Sequence, residues 1–234
     1  MDDTLLDSRL AELRERLRHG VGISQREIDE VVSELAPLRS RIRPADKLEE
    51  LPLFSDRGEP LGTCAPRWVC HVLALRHRCA HVLLLWESPV LETVLVLQIR
   101  AWTKDDSPGR VDISVGGHMT TARGPAGDST ALKEMLEETG LTEHDLNGAV
   151  EHMGGYAFDE SRPGERFHNS EWRDVYIGRV KADSLAIIHF PDGEVAGIVL
   201  VPVKDGEKLL EQRTIPLANA LTESLPRCLS WRVE

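Results

Sequence analysis

Three glutamates in the middle of the chain have the residue type and the spacing of a metal site. Glu134, Glu137 and Glu138 stand at positions i, i+3 and i+4, and on a helix this spacing places the three carboxylates on one face. Their repulsion costs stability unless they are solvated or bind a cation, and hard oxygen ligands of this kind suit Mg²⁺ or Mn²⁺. A solvated helix face is the alternative interpretation of the acidic run.

A glycine-rich segment precedes these acids. Residues 114–118, Ser-Val-Gly-Gly-His, predict a strand that runs into paired glycines, the start of a loop from Gly116 to Gly127. Asp128 or Ser129 is placed to cap a helix over residues 130–139, which Gly140 would end. Such a loop lets the backbone approach phosphate oxygens, while the helix behind it presents the carboxylates. The combination indicates a site for a metal-bound phosphate compound.

The segment Lys133–Leu141 resembles the second half of the box of the Nudix hydrolase family, GX5EX7REUXEEXGU, where U is aliphatic. Lys133 stands in place of the box arginine. The first half departs from the pattern, because Gly117 lies sixteen rather than fourteen positions before Lys133 and no glutamate occurs between them. In the family that early glutamate pairs with the arginine. Since both partners have changed together, we expect a rearranged brace between loop and helix.

Other segments resemble the isopentenyl-diphosphate-isomerase-like branch of this family, over about residues 50–205. They are Phe54–Gly62, His77-Arg78, Leu97–Arg100, Lys104, Ser107–Gly109 and Asp112–His118. His118 matches a metal-ligand histidine of the isomerase and Glu171 matches one of its glutamates, but Asn169 stands where the isomerase has an acid. Gly116 occupies the place of the catalytic cysteine, so isomerase activity is not expected. The other histidines show no metal-ligand spacing and are interpreted as structural.

The resemblance implies an α/β fold, a Nudix-like α/β/α sandwich with a mixed sheet, and metal-assisted hydrolysis of an organic pyrophosphate. The expected substrate is a nucleoside diphosphate linked to another moiety, or a related compound, and the expected cofactor is Mg²⁺ or Mn²⁺. The predicted metal-site residues are Glu134, Glu137, Glu138, Glu171 and Gly117. The predicted catalytic residues are Glu137, Glu138, Glu134 and Glu194, although Glu194 in Asp192-Gly193-Glu194 is equally interpretable as a turn residue.

Six positions are candidates for substrate binding: Arg78, Arg100, Lys104, Trp102, Gly117 and His118. The three cations would hold phosphate oxygens, with surface charge as the alternative. Trp102 would stack on a planar group, with a partly buried core position as the alternative. A different class of function stays open, a Nudix-fold nucleotide-binding or regulatory protein with little or no hydrolysis. The missing box glutamate and the extra N-terminal helices favour that class, and the three glutamates oppose it.

The N-terminal residues predict a helical hairpin extension over residues 1–45, followed by a Nudix domain over residues 46–234. Leucines at helical spacing run from Leu6 to Leu17, and a second stripe runs from Ile28 to Leu38. Gly20-Val21-Gly22 separates the two, and Ser24 with Glu27 forms a capping-box signature. An amphipathic pair must bury its stripe, so packing or homodimerisation is expected.

The remaining pattern predicts alternating strands and helices after a linker over residues 44–60. The predicted strands are Leu51–Phe54, Val69–Leu75, His81–Trp86, Val90–Arg100, Val111–Val115, Tyr156–Phe158, Arg173–Val180 and Glu194–Val203. The predicted closing helices are Glu207–Gln212 and Pro216–Leu225.

Composition excludes several classes of protein. The net charge of −11 opposes binding to nucleic acids and to anionic membranes. The resemblance to the Nudix family implies a small-molecule pyrophosphate as the partner. The acidic start and the lack of a long apolar run predict a cytoplasmic protein. Four cysteines without a CxxC pair are expected to be reduced thiols.

Overall fold

The computed structural model describes residues 3–17, 22–42, 48–90, 92–104, 106–121, 127–212 and 214–230. Within these ranges the α-helices are α1 (Asp3–Leu17), α2 (Gln25–Leu35), α3 (Arg39–Ile42), α4 (Arg67–Leu73), α5 (Gly127–Thr139), α6 (Gly206–Gln212) and α7 (Asn219–Ser230). The strands are β1 (Glu50–Phe54), β2 (Pro60–Pro66), β3 (His77–Ser88), β4 (Glu92–Arg100), β5 (Val111–Asp112), β6 (Val115–His118), β7 (Glu151–Arg162), β8 (Phe167–Val180) and β9 (Val195–Pro202).

The chain forms two compact units. The first contains Met1–Cys79, His118–Ala126 and Gly155–Arg173, and the second contains Ala80–Gly117, Gly127–Gly154 and Asp174–Glu234. Strand β3 pairs with β6 and with β8, and β7 pairs with β8. Each of these four strands has residues in both units.

The core of the first unit contains the leucine stripe of α1. Leu6, Leu10, Leu13 and Leu17 are buried and share one apolar cluster with α2, β1, β2 and α4. Ser24 caps α2 and forms the predicted capping box with Glu27. The stripe is therefore used for packing within the chain, while the homodimer and the domain boundary near residue 45 stay predictions. Gly20 and Val21 lie outside the described residues, as do residues 44–47 of the predicted linker.

The strands of the first unit begin with an antiparallel hairpin of β1 and β2, and β1 also pairs with the start of β3 at Leu53 and His77. The prediction of a strand over Val69–Leu75 is wrong, because α4 occupies Arg67–Leu73 and ends at Ala74 in the left-handed conformation. Every residue from Trp68 to Leu73 is buried. A helix buried on all sides has no polar face, so its apolar run cannot be distinguished from a buried strand by periodicity.

Strand β4 is central in the second unit. It pairs antiparallel with β3, β5 and β9, and a parallel bridge joins Val111 to Leu217. Helix α5 packs through Ala131 and Met135 on a buried cluster that includes Val82, Leu84 and Val96. The order of strands and helices thus positions the acidic helix against the sheet of its own unit.

Most predicted elements of this region are present with shifted ends. Helix α5 ends before Gly140, which has the predicted positive φ of 71°, but it begins at Gly127. The single strand predicted over Val111–Val115 is divided into β5 and β6, and α7 begins three residues after Pro216. Part of the predicted Gly116–Gly127 loop, residues 122–126, lies outside the described residues. Within the described ranges no helix is long and apolar enough to span a membrane.

Candidate functional site

Helix α5 presents the three predicted glutamates in two different environments. Glu138 is 2% exposed, whereas the Glu134 and Glu137 side chains are 15% and 43% exposed. All three belong to the second unit, together with Gly116 and Gly117. The i, i+3, i+4 spacing therefore yields one carboxylate directed into the fold and two directed towards its surface.

Gly117 lies directly against the carboxylate of Glu134. A Cβ atom at position 117 would overlap with the Cγ, the Cδ and a carboxylate oxygen of Glu134. Residue 117 can therefore carry no side chain while Glu134 keeps this position. The paired glycines of the sequence thus make room for a carboxylate beside the backbone.

Lys133 compensates the charge of the two outer acids. Its Nζ donates to Glu134 Oε1 at 2.9 Å and also contacts Glu137 Oε2. The Lys133 side chain is only 20% exposed, so this ion pair is partly shielded from water. Lys133 stands where the Nudix box has arginine. Lys133 pairs with two glutamates of its own helix, whereas the arginine of the family pairs with a glutamate of the loop.

Glu138 is held by neutral partners. Its Oε2 accepts from the backbone N–H of Gly116 at 3.1 Å and from Gln98 Nε2 at 3.3 Å. Burial raises the pKa of Glu138 to about 8, although the Gly116 hydrogen bond and the charge of Lys104 oppose the rise. A carboxyl with such a pKa exchanges its proton near neutral pH.

Lys104 and Glu194 form an ion pair that acts electrostatically on Glu138. Glu194 follows a turn in which Gly193 has a φ of 71°, and the Glu194 N–H donates to Asp192. The backbone carbonyl of Glu194 also accepts from the N–H of Ala101. Glu194 therefore lies at the end of a turn, and its carboxylate pairs with Lys104.

The donor set of this site fits a hard divalent cation. It consists of carboxylate oxygens and backbone groups, the ligands that Mg²⁺ and Mn²⁺ prefer. The contact between Glu134 and Gly117 leaves the carboxylate beside the backbone of the glycine pair. A cation there would take over the charge compensation that Lys133 now supplies.

A second group of candidate ligands lies in the first unit. Three histidines, His71, His77 and His118, each contribute one ring nitrogen to this group, and the three nitrogens lie within 4.8 Å of one another. Glu171 Oε1 is 3.4 Å from His118 Nε2 and 3.9 Å from His77 Nε2. His77 Nδ1 lies 3.0 Å from the carbonyl oxygen of Leu75, which only accepts, so the Nε2 of a neutral His77 carries the lone pair.

The charges in this cluster favour neutral histidines beside an ionised carboxylate. Burial lowers the pKa of His77 well below its usual value and also lowers the pKa of His118. Burial acts to raise the pKa of Glu171, but Arg173, at 2.7 Å, and the two histidines hold it well below the usual range. These protonation states are the ones in which such side chains bind metals.

The proximity of His71 and His77 to His118 adds metal binding as a second interpretation, and the structural interpretation of these histidines stays a prediction. Sequence spacing did not indicate this proximity, because the two residues belong to different elements: His71 lies in α4 and His77 begins β3. The left-handed turn at Ala74 brings them to a ring-centroid distance of 5.3 Å. Sequence spacing indicates ligands on one helix, whereas this cluster depends on the tertiary fold.

The other predicted residues have the following positions. Arg78 lies over the ring of Phe54 at 5.4 Å. Arg100 donates to Asp112 at 3.0 Å and to the carbonyl of Asp106, so its role in phosphate binding stays a prediction. The interpretation of Trp102 as partly buried is wrong, because it is 78% exposed.

Comparisons with known proteins agree with the fold. No protein-family model matches the chain. The chain is 28% identical over 168 residues to Nudix hydrolase 3 of Arabidopsis thaliana, which covers 70% of this chain and 20% of that protein. The chain thus spans about a fifth of the curated relative it matches.

Solved structures of other proteins share the fold of this chain. DR0079 of Deinococcus radiodurans matches with a TM-score of 0.57 and 22% identity, over 77% of this chain and 99% of that one. The Nudix domain of NrtR from Shewanella oneidensis, solved with ADP ribose, matches with a TM-score of 0.50 and 12% identity, over 67% and 88%. The chain has a Nudix-like α/β fold with a mixed sheet and additional N-terminal helices.

Proposed function

We propose that this chain is a metal-dependent hydrolase of organic pyrophosphates, with α5 as its metal-binding helix. The observation that carries the proposal is the packing of the α5 carboxylates on the Gly116–Gly117 backbone. The relationship to a Nudix hydrolase supports the same reaction class. The substrate is proposed to be a nucleoside diphosphate linked to another moiety, or a related pyrophosphate.

The side chains of the site have separate tasks in this reaction. Glu134, Glu137 and Glu138 would hold Mg²⁺ or Mn²⁺, with the carbonyl of Gly117 as a further oxygen donor. The bound cation neutralises the diphosphate and lowers the pKa of a water molecule. Lys104 is proposed to bind a phosphate oxygen.

Glu138 and Glu194 are the candidates for the general base. Glu138 is in reach of the glycine backbone and its pKa of about 8 suits proton transfer at neutral pH. Glu194 is paired with Lys104, and transfer of Lys104 to a phosphate would leave the Glu194 carboxylate able to accept a proton.

A phosphate-release screen, in which chromatography detects released phosphate monoesters, orthophosphate and pyrophosphate, tests this function. The purified chain is incubated with Mg²⁺ or Mn²⁺ and a panel of nucleoside triphosphates, nucleotide sugars, ADP-ribose, dinucleoside polyphosphates, coenzyme A and prenyl diphosphates. We expect turnover of at least one class and its loss on chelation. If no compound of the panel is hydrolysed but some still raise the melting temperature of the protein, the result would favour the alternative of a nucleotide-binding regulatory protein.

Lys133 is expected to compete with the metal for Glu134 and Glu137. Replacement by methionine removes the ammonium group, so the metal-free protein should lose about 1 kcal/mol of stability and its melting temperature should rise more on addition of Mg²⁺. Lys133→Arg keeps the charge, and Lys208→Met removes an exposed charge of α6 outside the site; both should respond to Mg²⁺ like the wild type. If Lys133→Met also responds like the wild type, the competition is absent.

We also propose that Glu171 binds a metal together with the histidine cluster, not with α5. Three imidazoles and one carboxylate suit Zn²⁺, Co²⁺ or Mn²⁺. Co²⁺ added to chelator-treated protein should give the visible absorption bands of nitrogen coordination, and His77→Gln should lose them. Exposed His144→Gln is the control; equal spectra for both variants would contradict the proposal, and circular dichroism would check that each is folded.

The finer placement in the isopentenyl-diphosphate-isomerase-like branch is likewise a proposal. It is supported by the proximity of His118 to Glu171, the two residues that match isomerase ligands. A small-molecule partner, a cytoplasmic location, the lack of nucleic-acid and membrane binding, and a homodimer through the N-terminal helices stay proposals as well. Light scattering tests the last of these, and a monomeric mass would contradict it.

A further inference from the structure

Trp102 is an exposed aromatic side chain next to the acidic site. It is 78% exposed, and it is the one aromatic residue among the exposed large apolar side chains of the described ranges. It lies directly after β4, the strand whose Gln98 donates to Glu138. Exposure of a whole indole to water is unfavourable. The residues around Trp102 indicate what could bind to it.

The indole is held in place by a glycine turn. A Cβ atom at Gly109 would be almost equally distant from three adjacent ring atoms of Trp102, Cζ2, Cη2 and Cζ3, and would overlap with all of them. These similar distances place Gly109 over a ring face rather than at its edge. The φ of Gly109 is 68°, and its N–H donates to the carbonyl of Arg100 at 3.1 Å. The backbone thus covers one ring face, while most of the side chain stays accessible.

The segment that carries Trp102 also carries the cation of the proposed active site. The N–H of Lys104 donates to the carbonyl of Ala101 at 3.2 Å, which closes a turn around Trp102. Lys104 pairs with Glu194 and acts electrostatically on Glu138. A ligand with phosphates at Lys104 would therefore have its next chemical group close to the indole.

We propose that Trp102 is a specificity-determining residue that stacks on the planar base of the substrate. It would select nucleoside diphosphate derivatives over pyrophosphates with purely aliphatic or sugar groups. A rigid aromatic face binds any base, because every base has a π-face. The proposal rests on the proposed function, since it places the pyrophosphate at α5 and Lys104.

The test measures binding without turnover. The ligands are α,β-methylene-ADP and methylenediphosphonate, a non-hydrolysable pair that differs by the nucleoside. Dissociation constants are measured by calorimetry with Mg²⁺ for wild type, Trp102→Phe and Trp102→Leu. We expect Trp102→Leu to weaken the nucleoside ligand by about 10-fold or more and Trp102→Phe to retain most of the affinity. Methylenediphosphonate should bind all three proteins within about 2-fold.

Several results would overturn the proposal. Trp102→Leu could bind the nucleoside ligand as tightly as the wild type does, or it could lose the same affinity for both ligands. The wild type could also show no preference for the ligand that has a base. The binding measurement needs no hydrolysis. Base-selective binding without turnover in the phosphate-release screen would therefore contradict the proposed hydrolase and support the proposed stacking site. Turnover without base-selective binding would support the proposed hydrolase and contradict the proposed stacking site. With an identified substrate, Trp102→Leu should raise KM and leave kcat within a few-fold.

Discussion

Replacement of Glu138 by glutamine is expected to lower pyrophosphate hydrolysis by about 100-fold or more, because metal and electrostatic contributions to catalysis are usually several kcal/mol. Glutamine preserves the shape of the side chain but can neither supply a negative oxygen to the cation nor accept a proton. Its amide oxygen can still accept from the Gly116 N–H, so the local fold should be kept. The loss should therefore appear in kcat rather than in stability.

The comparison needs a matched control. Glu143→Gln makes the same chemical change at an exposed position just beyond α5 and should have wild-type activity. Initial rates of both variants are measured at saturating Mg²⁺ on a substrate identified in the screen. Wild-type turnover by Glu138→Gln would remove Glu138 from both the metal site and the base, and the metal assignment would fail.

The stability of the metal-free protein is expected to fall as the pH rises towards about 8. Burial raises the pKa of Glu138 from its usual 4.5 to about 8, so between these values the folded protein holds a proton that the unfolded chain has released. Stability decreases with pH wherever the folded state binds more protons. The loss is on the order of 4 kcal/mol across this range, and it ends above the folded-state pKa.

Denaturant unfolding at pH 6 to 9 in the presence of a chelator measures this effect. Glu138→Gln has no carboxyl to titrate at this position, so its stability should depend much less on pH. Bound Mg²⁺ should reverse the trend, because the cation requires the ionised carboxylate and binds more tightly as the pH rises. Identical pH dependences of wild type and variant would show that Glu138 does not titrate in this range.

Local patterns in the sequence predicted the features of the fold and of the candidate site that depend on neighbouring residues. The spacing of Glu134, Glu137 and Glu138, the stop at Gly140 and the capping box at Ser24 each involve contacts within a few positions. Such features follow from the geometry of one helix and its ends. The resemblance to the Nudix box then supplied the fold, which the solved structures confirm.

The sequence did not predict features that depend on contacts distant along the chain. His71, His77 and His118 come from α4, β3 and β6, and no spacing rule connects them. The surroundings of Glu138 depend on Gln98, a residue forty positions away, so its raised pKa was not visible. Trp102 lies in the turn that the Lys104 N–H closes on the Ala101 carbonyl, whereas its residue type alone favoured the core.

Calorimetric titration with Mg²⁺ tests the central claim most directly, the claim that the α5 carboxylates hold a hard divalent cation. Mg²⁺ is preferred for the test because the imidazoles of the histidine cluster are poor ligands for it. The wild type is expected to bind Mg²⁺, and the variant with Glu134, Glu137 and Glu138 all replaced by glutamine is expected to lose this binding while remaining folded. Equal binding of Mg²⁺ by the two proteins would contradict the account.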